Sequence, residues 1–328
     1  MLYNITKNIG SIENSRRCIF LLLFFFLNVV SISAQQDALK EKKYSLELQL
    51  IANTGFNNKT FKYNKYEYNV RRTLIDYQQY LSGNFKFCLA GDTYVKKHDK
   101  PYHLTPYLKR AYFQFHNKRL SLSAGLLVLE QFKYQRKIWQ LRYVDKTFQN
   151  KFKYGENRNV GILMKHHLSS RFSYDIAIIS GYNTPIKKSL KKYQVMMGQT
   201  FNTDFCTFRL FNSISLESAY EYTFSFFVAK VLRNSKVGVE YAKKISNNKR
   251  VDVNKYGISA FGNHSFSKSM MCFVRYDMNK ESMKRQAKNV IWSGIQYTFN
   301  KNIKASIYYE KEGFDTVFYG LTIYIHHF

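Results

Sequence analysis

The chain has 328 residues, with 51 Lys and Arg against 22 Asp and Glu for a formal charge of +29, and 17% aromatic residues, 27 Tyr and 28 Phe beside three Pro. After residue 34 no apolar run approaches the roughly 20 residues that a membrane-spanning helix needs, which excludes a helical inner-membrane protein. No recognisable nucleic-acid module accompanies the positive charge, so no nucleic acid is expected as partner, and lipid headgroups are the acidic surface this charge would meet.

At the N-terminus Arg16 and Arg17 precede the run CIFLLLFFFLNVV at 18–30, and Ser31-Ile32-Ser33-Ala34 follow it. A basic flank, an apolar run of 13 residues and small residues make a secretory signal peptide over 1–34, cut before Gln35. Its loss removes Lys7, Glu13, Arg16 and Arg17 and lowers the charge from +29 to +27. Cys18 opens the apolar run instead of following the small residues, so it is not a lipid-anchored cysteine. Cys88, Cys206 and Cys272 remain, an odd number that cannot complete a disulfide framework.

From residue 44 onward the dominant signal is alternation. Leu120, Leu122, Ala124, Leu126 and Val128 share one parity against Ser121, Ser123 and Gly125, and Phe172, Tyr174, Ile176 and Ile178 oppose Ser173, Asp175 and Ala177. Tyr220, Tyr222, Phe224, Phe226 and Val228 oppose Glu221, Thr223, Ser225 and Ala229, and Ile303, Ala305, Ile307 and Tyr309 oppose Lys304, Ser306 and Glu310. Two-faced strands of about ten residues, repeated to the end of the chain, are the signature of a membrane barrel. Strands are predicted at 44–52, 68–81, 85–94, 106–116, 119–128, 158–167, 172–181, 190–201, 205–214, 220–231, 236–245, 253–264, 270–279, 289–299, 302–311 and 316–328. They alternate between short turns at 82–84, 117–118, 168–171, 202–204, 233–236, 265–268 and 300–301 and longer loops. The prediction is therefore all-β: a transmembrane antiparallel up-and-down barrel over 35–328 of about 16 strands, or about 14, since boundaries read from one sequence are uncertain. The second strand is the weakest, because Arg71 and Arg72 interrupt its apolar face.

The longest connection, 129–157, follows the fifth strand. A barrel this wide is not filled by its own side chains, so such a segment either folds inward as a constriction or lies outside as an extracellular loop. Folded inward, Lys133, Arg136, Lys137, Arg142 and Lys146 would set the field at the narrowest point and the pore would prefer anions; Arg142 could instead be held against Trp139 or a wall carboxylate. At the C-terminus the aromatic Phe328 suits recognition by barrel-assembly machinery. It falls off the parity of Val317, Tyr319, Leu321, Ile323 and Ile325, which predicts a bulge at His326-His327.

The stretch 125–161, with Gly125 closing a strand, WQLRY at 139–143, Lys146-Thr147-Phe148 and Gly161 opening the next strand, resembles the porin-like outer-membrane proteins of Bacteroidota, relatives of the phosphate-selective porin superfamily. The resemblance implies a barrel porin. It departs at Arg158-Asn159-Val160 and Ser180-Gly181-Tyr182-Asn183, both of which remove negative charge, and it transfers no ligand-binding residue.

With the apolar parity toward lipid, the lumen-facing cations are Arg72, Lys86, Arg110, Lys165, Lys192, Arg209, Arg275 and Lys304, against Glu47, Asp76, Asp175, Glu221, Glu240, Asp277 and Glu310. The wall is nearly balanced, so the positive excess lies in the connections, where it can attract anions or pair with lipopolysaccharide phosphates. Charge at Phe224 or Leu122 should be damaging and at Thr223 or Ser121 tolerated. His166-His167 and His326-His327 cannot chelate jointly because neighbouring strand residues face opposite ways. No metal or cofactor is expected, and without HExxH, Cys-x-x-Cys or Gly-x-Ser-x-Gly no catalytic site is expected either. The expected function is passive diffusion of small hydrophilic solutes, with a homo-oligomer open; the competing expectation is a membrane-embedded subunit of a secretion or gliding apparatus.

Overall fold

The computed structural model describes residues 42–57, 62–81, 83–95, 104–180, 193–215, 220–248, 251–284, 286–313 and 316–327, with side chains from residue 73 onward apart from a few strand ends. Residues 1–34, where a signal peptide is expected, Lys192 and Phe328 lie outside the described residues, as do the side chains of Glu47 and Arg72.

Sixteen antiparallel strands form one closed barrel in sequence order. They are β1 Lys42–Asn57, β2 Lys62–Tyr80, β3 Phe85–Val95, β4 Leu104–His116, β5 Leu120–Val128, β6 Arg158–His167, β7 Phe172–Ser180, β8 Tyr193–Asn202, β9 Thr207–Ser215, β10 Tyr220–Val231, β11 Ser235–Asn248, β12 Val251–Ser265, β13 Met270–Glu281, β14 Lys288–Asn300, β15 Ile303–Glu312 and β16 Thr316–His327. Pairing of β1 with β16, from Leu46 opposite His327 to Asn57 opposite Thr316, closes the ring. Closure leaves no edge of unpaired backbone groups, the condition for placing a sheet in a bilayer.

The predicted facing holds. On the outside stand Ile75, Leu89, Val160, Ile162, Ile178, Val239, Val274, Ile295 and Ile307, large apolar side chains left exposed in a continuous belt. The opposite parity carries Ser123, Thr200, Ser213, Thr223, Ser225, Ser259 and Thr322, all buried toward the inside. A soluble domain would not expose such a belt; against acyl chains it is the stable arrangement.

Two features depart from the sequence reading. The register slips between Ala90 and Gly91 on β3, which face Arg110 and Leu108 and leave Lys109 as an extra residue; a similar slip leaves Arg71 extra on β2. Bulges reset the period of two, which is why the second strand reads poorly. The bulge expected at His326-His327 is absent, since Ile325, His326 and His327 pair regularly with Leu48, Glu47 and Leu46.

Phe224 stands fifth of the twelve residues of β10, near mid-strand as expected, and pairs with Lys243. Val239 is 53% exposed among apolar neighbours on the same outer face: Val239→Lys and Phe224→Lys should each cost about 2 to 4 kcal/mol in reversible unfolding from vesicles. Ser121→Lys, on the inner face, should cost little; equal losses at Val239 and Ser121 would contradict the facing.

Candidate functional site

The connection between β5 and β6 folds into the barrel. Its neck is closed by the Leu129 N–H donating to the Asn157 carbonyl at 3.0 Å. A tight turn at Glu130–Phe132 leads to helix α1, Lys133–Trp139, and a second short helix, α2, covers Phe148–Lys151. Gln140, at φ 60°, ends α1 with its N–H on the Arg136 carbonyl. Phe132, Trp139, Leu141, Phe148 and Tyr154 are all essentially without solvent exposure. Residues of both the segment and the wall supply their cover: Ile138, Trp139, Leu141, Tyr143 and Val144 pack with Phe227, Phe261, Phe273, Val290, Trp292 and Tyr308. Trp139 meets Phe261 and Phe273 edge-on, at 5.3 and 6.0 Å between ring centres. Phe148 approaches Gly257 so closely that a Cβ there would stand 2.7 Å from its ring.

Polar wall residues meet several of the segment's polar groups. Tyr143 Oη donates to Gln296 Oε1 at 2.5 Å and lies 2.6 Å from Ser306 Oγ, and Tyr154 Oη donates to Asn279 Oδ1 at 2.7 Å. Burial pushes both phenols well above their ordinary range, so they remain neutral donors. Arg275 Nη1 donates to the Lys146 carbonyl at 2.6 Å and Lys255 Nζ to that of Phe152 at 2.5 Å. Glu240 accepts from the amides of Gln135, at 3.2 Å, and Gln149, so one wall carboxylate ties both helices down. Thr223 Oγ1 donates to the Tyr154 carbonyl at 3.0 Å and is fully buried. The expectation that Thr223 tolerates a charge is therefore wrong: its inner face meets the segment, not water.

The wall charges neutralise one another. Arg209 holds Asp175 with two bonds, at 2.8 and 3.1 Å. Arg275 grips Asp277 at 2.8 and 2.6 Å and lies over the rings of Trp139 and Trp292 at 5.4 and 4.8 Å. Arg110 pairs with Asp76, Lys244 with Glu221, and Lys151 with Glu310 at 3.1 Å. Lys165 pairs with Glu130 at 2.5 Å; burial alone would raise the Glu130 carboxyl, but Lys133 and Lys165 outweigh it and hold it below the usual range. Lys109, which the alternation hid, points inward beside Arg110 because of the bulge and meets Asp92 at 3.0 Å. Among the residues whose side chains are described every carboxylate has a cation or an amide donor.

Of the five cations expected at a constriction, Lys133, Lys137 and Lys146 are exposed and Arg142 is half-buried. Arg136 is committed to the fold, donating to the Phe132 carbonyl at 3.1 Å and to Asn157 Oδ1 at 2.9 Å. Lys86 lies 6.0 Å from the Tyr80 ring centre, and Lys304, half-buried, shares the inward parity of Ser306 and Tyr308. No group of three or more His, Cys, Asp or Glu among the described residues is placed to hold a metal ion.

No family model and no curated protein matches the chain by sequence. Solved structures do match in fold. The anion-selective porin from Comamonas acidovorans superposes with a TM-score of 0.67 at 9% identity, over 88% of this chain and 100% of that one. Outer-membrane expressed OmpT of Vibrio cholerae gives 0.66 at 8% identity, over 89% and 100%, and Salmonella typhi OmpF, in complex with daunomycin, gives 0.65 at 11%, over 87% and 98%. The chain thus has the fold of the outer-membrane porins, a closed sixteen-stranded β-barrel.

Proposed function

We propose that the protein is a passive diffusion pore for small hydrophilic solutes that prefers anions, and that no catalytic step is involved. The observation that carries the reading is where the lysines of the inserted segment stand: Lys133, Lys137, Lys146 and Lys153 are exposed on the segment folded into the barrel, while the wall carboxylates Asp175, Glu221 and Asp277 are held by cations of the wall. In a low-dielectric passage few waters screen such cations, and they favour anions over cations of the same size. The porin fold and the anion-selective porin among its structural neighbours support the same direction. Kinship with the Bacteroidota porin-like proteins rests on the 125–161 stretch, export on the leader at 1–34, and recognition by the assembly machinery on the last strand. Lipopolysaccharide, and a homo-oligomer such as the trimer form described for the Vibrio protein, are the partners expected of it.

Swelling of liposomes containing the purified protein tests the reading. Small neutral sugars should enter at rates that fall steeply with size, and a monovalent organic anion should enter faster than a cation of equal size. Liposomes that do not swell in any solute would leave a barrel serving as an apparatus subunit.

A further inference from the structure

Inward cations of the wall such as Arg110, Lys165, Arg209, Lys244 and Arg275 are each answered by a carboxylate; Lys236 and Lys304, near its turn end, are not. Lys236, expected in a turn, is the second residue of β11 and shares the inward parity of Gly238 and Glu240. Lys304 is likewise the second residue of β15, on the inward parity of Ser306 and Tyr308. Both are half-buried, and Lys137 stands exposed on α1. Among the residues whose side chains are described, no carboxylate pairs with any of these lysines and no hydrogen bond engages their ammonium groups.

Register and packing bring the lysines together. Lys236 stands opposite Asn263 on β12, whose Nδ2 donates to the Trp139 carbonyl at 3.4 Å, two residues along α1 from Lys137. Lys304 stands opposite Tyr324, and Tyr324 stacks on Tyr143 of the inserted segment with ring centres 5.3 Å apart. The Lys304 and Lys137 charges both act on the Lys236 ammonium. Like charges gathered without a counter-ion repel one another, so an anion seated among them is favoured twice, by its own attraction and by relief of that repulsion. Spacing selects the anion. β11 and β15 are four strands apart, roughly 19 Å along the wall at about 4.8 Å per strand, so the two wall lysines approach from different sides of the passage, with the segment that carries Lys137 between them. A phosphate concentrates its charge at one point and meets one side; a dicarboxylate carries a charge at each end and meets both.

We infer that Lys137, Lys236 and Lys304 form a binding site for a small dicarboxylate at the turn end of the pore, one carboxylate against Lys236 and the other against Lys304, with Lys137 reaching the anion from the segment. Charge-assisted bonds from the ammonium groups to the carboxylate oxygens hold it. The inference rests on the reading of an anion-preferring pore and deepens it, naming the class of solute that pauses on its way through.

The test is isothermal titration calorimetry of the detergent-purified protein with succinate and, in parallel, with acetate and with orthophosphate at equal ionic strength. Wild-type protein should bind succinate saturably and at least roughly five-fold tighter than acetate, the factor that one further charge met at about 4 Å supplies in water. The double variant Lys236→Gln, Lys304→Gln should bind succinate no better than acetate, whereas Lys236→Arg, Lys304→Arg should keep the difference. Lys118→Gln, in the exposed turn between β4 and β5, should leave it intact. Heat-modifiable migration checks that each variant has folded. Succinate bound no tighter than acetate by wild type, an unchanged preference in the double Gln variant, or orthophosphate bound as tightly as succinate would overturn the proposal. Binding is read without conduction, so silent bilayers from protein that binds succinate would sink the pore reading alone, and anion-permeable channels from protein that does not bind it would sink the site alone.

Discussion

Replacing residues 131–155 by a four-residue turn is expected to raise single-channel conductance several-fold. The chain on both sides of the cut is already joined, Leu129 N–H to Asn157 carbonyl, so β5 and β6 can be closed there without disturbing their register. Excision removes two helices and the packed aromatic mass between them from a lumen that sixteen strands make too wide for wall side chains to fill. It also uncovers Phe227, Phe261, Phe273 and Trp292 to water, so the variant should unfold at lower temperature as conductance rises. A milder form is Trp139→Ala, which deletes the largest fully buried side chain of the segment and should cost about 3 to 5 kcal/mol of its anchoring, producing noisy, fluctuating conductance. Unchanged conductance after excision would mean that the segment does not occupy the conducting path.

Changing Lys133, Lys137 and Lys146 together to Gln is expected to reduce anion preference strongly while leaving conductance near that of wild type. Each lysine 4 Å from a permeating anion contributes about 1 kcal/mol even at the dielectric constant of water, roughly a five-fold change in local anion concentration, and more where the passage is narrow. The reversal potential in a salt gradient should move toward cation permeability accordingly. Arg136→Gln should behave differently, because its guanidinium bonds Phe132 and Asn157 within the segment: it should destabilise the segment without a comparable selectivity shift. Adding Arg136 and Arg142 to the triple variant therefore mixes two effects. A reversal potential untouched by the triple change would remove the segment's lysines as the source of selectivity.

The barrel was almost entirely legible in the sequence because its cause is local. A period of two, interrupted by turns, fixes both strand and facing, and all sixteen expected strands are present, fourteen with ends within three residues and the first two extending five and six residues further into their shared connection. What escaped has physical reasons. A bulge resets parity, so Lys109 was assigned no face, although it pairs with Asp92 inside the barrel. The destination of the long segment was open between inside and outside, yet a signal existed: Phe227, Phe261, Phe273 and Trp292 sit on the inward, otherwise polar parity. Large apolar side chains on a water-filled lumen would be costly, so such breaks mark where something else covers the wall. Residues such as Thr223, Asn263, Asn279 and Gln296 gave no such signal, since a polar group facing water and one facing a folded segment read alike. Charge pairing was likewise hidden: the near balance of wall charges was visible, but not that Arg209 closes on Asp175 across the intervening strand β8.

The most direct test of the account is the zero-current potential of the purified wild-type protein in a planar bilayer across a salt gradient of a symmetric electrolyte. Steady, ohmic channels whose reversal potential takes the sign of an anion-permeable pore are the expected result. A bilayer that stays silent at protein levels sufficient for insertion, or a reversal potential of the opposite sign, would contradict it.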